Sequence, residues 1–330
     1  FKEHFMLRDD VFDTSQKEKI MKPSLKPFNY EQDFINVRDF LSQTFAHYGR
    51  SVNWRIERWE YAFHFVAPFL ANWRQQPASH ETAEETINFL ETLTGLWETP
   101  TGEIAGVVNI EHPDLTHPGF GEFFIQRHPE YGELFPQMLD YAESNLVDPS
   151  QNRLYIYIEP DDQPLRQLLE DRGFAALPEQ AEAESILDLS IKSLPDQPNL
   201  PEGYKIQTMA DDNNLEERCK AFGRAFNHPD PLEWPSVISY ENLQKAPDYH
   251  KEQDIIVLAP DGSYAAFGLI WFDEHNKLAS LEPVGTQPEF RRMGLAREAV
   301  YEAIRRVQAK GAERVVVGST QTFYLKIGFL

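Results

Sequence analysis

The stretch PEFRRMGLAREAV, Pro288 to Val300, places two adjacent arginines, Arg291 and Arg292, just before Gly294 and a helix-forming run. It does so in a chain of 330 residues with 53 acidic and only 31 basic side chains. The first backbone N–H groups of a helix lack an intrahelical partner and carry the positive end of the helix dipole. A glycine there lets a ligand approach the backbone, and two cations flank it, so the residue types suit a phosphate or pyrophosphate. A solvated basic turn that merely opens a helix would use the same residues. Behind the glycine, Leu295, Ala299, Val300, Ala303, Ile304 and Val307 recur at helical spacing as one apolar stripe, and Gly311 stops the run.

The elements around this helix decide more than the tripeptide does. The preceding run LASLEPVGT, Leu278 to Thr286, reads as a strand, yet Pro283 cannot donate to a ladder, so the strand must be bulged or at an edge there. The following run RVVVG is apolar without alternation, as in a strand buried on both faces. A bulged strand beside a fully paired one can part from it and open a cleft with free backbone groups, suited to a long, amide-containing ligand. Further strands are expected at Tyr204 to Met209 and from Ile255 and Ala265. Helices are expected at Leu215 to Phe226, Trp234 to Lys245 and Gly294 to Lys310, with a last strand at Arg314 to Val317.

The first half repeats this plan. Gly102 and Gly262 sit in matching Pro-x-Gly turns 160 residues apart; HPEY at His128 answers QPEF at Gln287 at an offset of 159; and the Gly-Phe pairs ending at Phe174 and Phe329 differ by 155. Strands mixed with helices give an α/β (α+β) layout with a mixed sheet covered by helices. The prolines at 195, 198 and 201 mark a linker. The expected division is an N-terminal extension at 1–23, a first domain at 24–192 with a closing strand at Ala183 to Ile191, a linker at 193–203 and a second domain at 204–330.

The order bulged strand, Arg291-Arg292-Met293-Gly294-Leu295-Ala296, helix, apolar strand and FYLKIGF resembles the GNAT superfamily of acyl-CoA-dependent N-acyltransferases. The six residues satisfy its Gln/Arg-x-x-Gly-x-Gly/Ala signature, and Tyr324 stands four residues before Gly328-Phe329, as in its later motif. The tandem arrangement is similar to that of mycothiol synthase, without pointing to that substrate. The resemblance implies two GNAT-like domains with mostly antiparallel sheets. It also implies acetyl-CoA as acyl donor, held by Val284, Gly285 and Arg291 to Ala296, and direct transfer of an acetyl group to an amine. An amine must lose a proton before it attacks, and Glu282 on the bulged strand is the candidate base, with a solvated strand carboxylate as the alternative. The N–H of Val284 would face the developing oxyanion, and Tyr324 would protonate the leaving thiolate unless it is only a core tyrosine. The family pattern runs on through one or two further strands after the Gly-Phe pair; since the sequence stops at Leu330, either the chain is truncated or another segment completes the sheet. Relatives of this fold also carry out other acyl or aminoacyl transfers, and a silent acyl-CoA sensor or scaffold is a further reading.

In the first copy HPEY runs directly into GELFPQML, which lacks both arginines and sets Glu133 where a backbone donor would face a phosphate. That copy is expected to support the second and not to bind the coenzyme. A net charge of -22 disfavours nucleic acid and is compatible with a cationic small-molecule amine, or serves solubility alone. No membrane span or signal peptide is read, and the single cysteine, Cys219, is taken as structural, so a cytoplasmic setting is expected. His228 and His250 lack ligand partners at a useful spacing, so no metal is expected. Aromatics from Asn53 to Trp73 could line an acceptor pocket or form core, and a homodimer stays open.

Overall fold

The computed structural model describes residues 22–49, 54–68, 83–110, 112, 121–147, 152–159, 162–177, 183–191, 194–195 and 197–330. Residues 1–21, parts of the linker, and residues 53 and 69–73 of the aromatic stretch lie outside this set. The first half runs β1 (Ser24–Pro27), α1 (Tyr30–Tyr48), α2 (Ile56–Tyr61) continued by a π-helical turn at Ala62–Val66, and α3 (Ala83–Thr92). It continues through β2 (Gly95–Glu98), β3 (Ile104–Ile110), β4 (Phe123–Arg127), a 3-10 turn at Pro129–Leu134, α4 (Phe135–Asn145) and α5 (Gln163–Asp171). The second half follows as β5 (Ser185–Asp188), β6 (Lys205–Thr208), α6 (Leu215–Ala225), α7 (Val237–Leu243), β7 (Asp254–Leu258) and β8 (Tyr264–Asp273). Last come β9 (Leu278–Thr286), α8 (Leu295–Ala309), β10 (Arg314–Val317) and α9 (Thr322–Ile327).

The internal repeat is structural. Thr99 and Ala259 each receive Gly102 or Gly262 N–H, at 2.9 and 3.0 Å, and both glycines adopt φ of 88°. Phe174 N–H reaches Leu169 O and Phe329 N–H reaches Tyr324 O in the same five-residue closure, at 3.0 and 3.1 Å. The first sheet is antiparallel in the order β1-β2-β3-β4, and among the described residues a parallel bridge, Glu122 to Tyr155, stands where β10 lies in the second half. The second sheet has six strands in the order β5-β10-β9-β8-β7-β6, with β9 and β10 parallel and every other pair antiparallel. The helix expected at Trp234 to Lys245 is shorter, because Ser236 caps α7 through the N–H of Ser239 at 3.2 Å and Pro235 precedes it.

The position of β5 differs from the sequence expectation. The strand read as the close of the first domain pairs with β10, Ser185 opposite Val317 through Asp188 opposite Arg314. Leu187 and Leu189 enter the core of the second sheet together with Val315, Val317 and Phe329. β5 thus lies beside β10 on the side away from β9, and Leu330 exchanges two backbone hydrogen bonds with Ile186 at 3.0 and 2.9 Å. The linker lies along α8: Arg305 donates to Pro195 O at 3.0 Å and Asn199 N–H to Glu298 at 3.1 Å.

Candidate active site

The strand β9 is bulged at the residue the sequence singles out. Gly268 faces Val284 and Ile270 faces Leu281, so Glu282 and Pro283 together oppose one residue of β8. The Glu282–Pro283 peptide bond is cis. On its other side β9 is paired to β10 only through Ser280. Beyond Ser280 the two strands part, and β9 carries Glu282, Val284 and Gly285 past the end of the parallel ladder before leading into the arginine loop.

That loop is held by its neighbours. Gln287 is buried, donates to Tyr264 O at 3.0 Å and accepts from Arg224 at 2.6 Å. Arg291 donates to Thr286 O, to Ala225 O and to Asn227 at 3.2, 2.9 and 2.8 Å, tying the loop to the end of α6. Arg292, at φ of 65°, is exposed and makes no hydrogen bond or ion pair among the described residues. The two arginines thus differ: Arg291 builds the loop, and Arg292 stays free for a ligand. Gly294 takes φ of 83° and caps α8 with no side-chain hydrogen bond, and the first intrahelical bond is Glu298 N–H to Gly294 O at 3.3 Å. The N–H groups of Leu295, Ala296 and Arg297 are left for an anion. Met293 is half exposed beside them, with its sulfur 3.8 Å from the hydroxyl of Tyr204. Arg297, paired with Glu298 at 2.7 Å, lies close enough to Gly294 that a Cβ there would meet its guanidinium at 3.4 Å. Helical spacing in the sequence does not show that this cation, one turn into the helix, curls back over Gly294. These features fit a coenzyme pyrophosphate. Gly285 has a separate reason to be glycine: a Cβ would meet Phe267 at 2.4 Å and Ala225 at 2.8 Å.

Glu282 is partly exposed, its side chain 36% accessible, and forms an ion pair with Arg58 of α2 in the first half. Its backbone carbonyl accepts from the indole of Trp271 at 2.9 Å. Tyr324, in α9, is buried against Phe329 and Phe323. Burial, and then the charge of Glu282, push its hydroxyl up to about 12. The charge of the same carboxylate therefore reaches the tyrosine. Neither Arg58 nor Trp271 was singled out from the sequence, because Arg58 is 224 residues away from its partner. Cys219 is buried and desolvation pushes its thiol up to about 12, which suits a structural residue and not a nucleophile.

Residues 215–329 match the Acetyltransferase (GNAT) family. The C-terminal part of this chain is a GNAT acetyltransferase domain. The GNAT fold also accounts for the rest of the molecule. A tandem GNAT protein from the clavulanic acid biosynthesis pathway is 14% identical and superposes over 93% of this chain and 95% of its own, with a TM-score of 0.56. A GCN5-related N-acetyltransferase from Sphaerobacter thermophilus is 16% identical over 82% of this chain and 90% of its own, with a TM-score of 0.50. A glucosamine N-acetyltransferase region of a fungal multi-domain β-N-acetylglucosaminidase is 13% identical over 94% of this chain and 37% of that one, with a TM-score of 0.51. At such identities the likeness is one of fold. A comparison with curated proteins gave no match. Among the described residues no helix is long and apolar enough to cross a membrane.

Proposed function

We propose that the C-terminal GNAT domain moves an acetyl group from acetyl-CoA to the amine of a small-molecule acceptor. The observation that carries this reading is the parting of β9 from β10 beyond Ser280, with Glu282 on the freed strand and Tyr324 within reach of its charge. Bound acetyl-CoA supplies a thioester carbon for attack by the amine nitrogen and a thiolate as leaving group. The residues of the chain then divide the work. Gly294 and the N–H groups of Leu295 and Ala296 bind the pyrophosphate with Arg292 beside them, and Val284 N–H donates to the carbonyl oxygen as charge builds on it. Glu282 takes the proton that the ammonium form of the acceptor must lose, directly or through water. Tyr324, held protonated, gives its proton to sulfur.

The first half is the silent copy in this reading. Aligned on His128 and Gln287, Phe123 stands where Glu282 does, and aligned on the Gly-Phe pairs, Leu169 stands where Tyr324 does. Its loop is a 3-10 segment, Pro129–Leu134, kinked at Tyr131 (φ -112°, ψ 50°) and leading into α4 without a left-handed residue, and Pro136 occupies the first turn of that helix. The loop also lacks both arginines, and Glu133 sets a carboxylate where a phosphate would lie.

Titration calorimetry with acetyl-CoA, together with thiol release over a panel of small amines, tests the reading. Binding with turnover of at least one amine is the expected result; binding without turnover of any amine would make the protein an acyl-CoA sensor. In the same assay Arg292→Ala is expected to weaken acetyl-CoA binding about tenfold, through loss of a charge-assisted contact. Gly294→Glu is expected to weaken it about a hundredfold, by adding left-handed strain and a carboxylate at the phosphate. Unchanged affinity in both would move the coenzyme away from this loop.

A further inference from the structure

The ion pair between Arg58 and Glu282 joins the two halves at the bulge of β9. Arg58 comes from α2, 224 residues before its partner, and its Nη1 donates to Oε1 of Glu282. The other carboxylate oxygen, Oε2, makes no hydrogen bond among the described residues. Trp271 fixes the same residue from behind through its backbone carbonyl, at 2.9 Å. The base of α2 is itself anchored on both halves. Ile56, with Trp54 just before the helix, lines a cavity together with Trp271, Leu278 and Ser280 of the second half. One helical turn beyond Arg58, Tyr61 stacks on Phe65 with centroids 4.7 Å apart, and Phe65 packs edge-on against Tyr240 of α7 at 5.4 Å.

We propose that Arg58 is a positioning residue contributed by the silent copy: by holding Oε1 it aims Oε2 of Glu282 at the acceptor amine, so the C-terminal site is incomplete without the first half. This rests on the proposed role of Glu282 as base. The bulge leaves the Glu282 side chain outside the regular ladder, where a partly exposed carboxylate would otherwise sample several rotamers. A guanidinium with its own stem packed in an interface restricts it to one. The charged and titratable groups facing Glu282 are Arg58 and Tyr61 from α2 and Tyr324 from α9, with Glu57 next to Arg58, and Arg218 and Asp254 behind Tyr61. Arg58 is the cation among these that touches the carboxylate. Residues that misalign a reacting group typically lose turnover and keep affinity for parts of the substrate bound elsewhere.

The test uses the full chain with Arg58→Met, Arg58→Lys, Glu282→Gln and the double variant Arg58→Met/Glu282→Gln. Acetyl-CoA affinity by calorimetry is expected to stay within about twofold of wild type in all four, because the pyrophosphate loop is untouched. The kcat is expected to fall about tenfold in Arg58→Met, to recover to within about threefold in Arg58→Lys, and to be no lower in the double variant than in Glu282→Gln alone. The melting temperatures of the four proteins supply a second readout without turnover: the shifts of the two single changes are expected not to add, as for groups in contact. Should Arg58→Met fail to fold, Arg58→Gln replaces it in the same cycle. Full kcat in the Arg58 variant, or additive losses in the double variant, would overturn the proposal while leaving the acetyltransferase reading intact. Absence of turnover by wild type on every amine would instead end that reading, and this one with it.

Discussion

At the scale of single residues the most exacting demand falls on Tyr324. A phenol with its ordinary value near 10 would begin to lose its proton in mildly alkaline solution, where amine acceptors are most reactive. Burial against Phe329 and the nearby charge of Glu282 push this hydroxyl up to about 12. In the proposed reaction the neutral form is the proton donor, so a raised value extends the useful range upward, and the loss sets in only as pH rises through the folded value. Between pH 7 and 10 the kcat of the wild type is therefore expected to show no descending limb from this group. Tyr324→Phe is expected to lower kcat about a hundredfold with acetyl-CoA affinity nearly kept, as measured by thiol release and calorimetry. A variant with full turnover would make Tyr324 a core residue only. The sequence shows the tyrosine and its spacing to Gly328-Phe329, and it shows both arginines. What it does not show is that Arg291 spends its guanidinium on Ala225, Asn227 and Thr286 while Arg292 remains free, since the first two of those partners lie 66 and 64 residues upstream. Nor does any periodicity reveal that Glu282 meets Arg58.

At the scale of elements, periodicity was a good guide within each segment and a poor one between segments. β9 and β10 have the bounds that alternation and apolar runs indicate, and the bulge falls at Pro283 because proline has no N–H for the ladder. The pairing of β5 with β10 was not legible, because alternation tells which face of a strand is buried and not which strand lies beside it. β5 is short, is followed by prolines and precedes the linker, all of which point to the end of a first unit. Its Leu187 is 1% exposed and lies in the core of the second sheet. Leu187→Ala is accordingly expected to destabilise the C-terminal sheet by about 2–5 kcal/mol, as for other buried leucines. Urea unfolding, with acetyl-CoA binding as the probe of the C-terminal fold, checks this. An unchanged midpoint for that probe would mean that β5 does not complete the sheet in solution.

At the scale of the whole molecule the two halves share core and charge. Phe65 of the first half lies in one cluster with Tyr240, Leu243 and Trp271, and Phe45 packs on Leu278 and Val316. Ser42 donates to Asp273 at 2.9 Å, and Arg38 holds Asp248 with two bonds of 2.7 Å. Beside that pair Glu60 is fully buried and accepts the N–H of Asp248 at 2.9 Å. Burial, followed by the hydrogen bond and charge of Asp248, raises the Glu60 carboxyl well above the usual carboxylate range, with Arg38 opposing the rise. In the folded protein Glu60 thus keeps a proton that the unfolded chain has already released. The folded state then binds more protons than the unfolded one, so stability from this group is present at low pH and declines as pH rises from the ordinary carboxylate value toward the raised one. The slope is at most about 1.4 kcal/mol per pH unit. Glu60→Gln keeps an acceptor for Asp248 N–H and removes the titration. Its stability relative to wild type, measured by urea unfolding from pH 5 to 8, is therefore expected to increase steadily with pH. A constant difference across that range would show that Glu60 is ionised at the interface throughout, with Arg38 and not the proton balancing its charge.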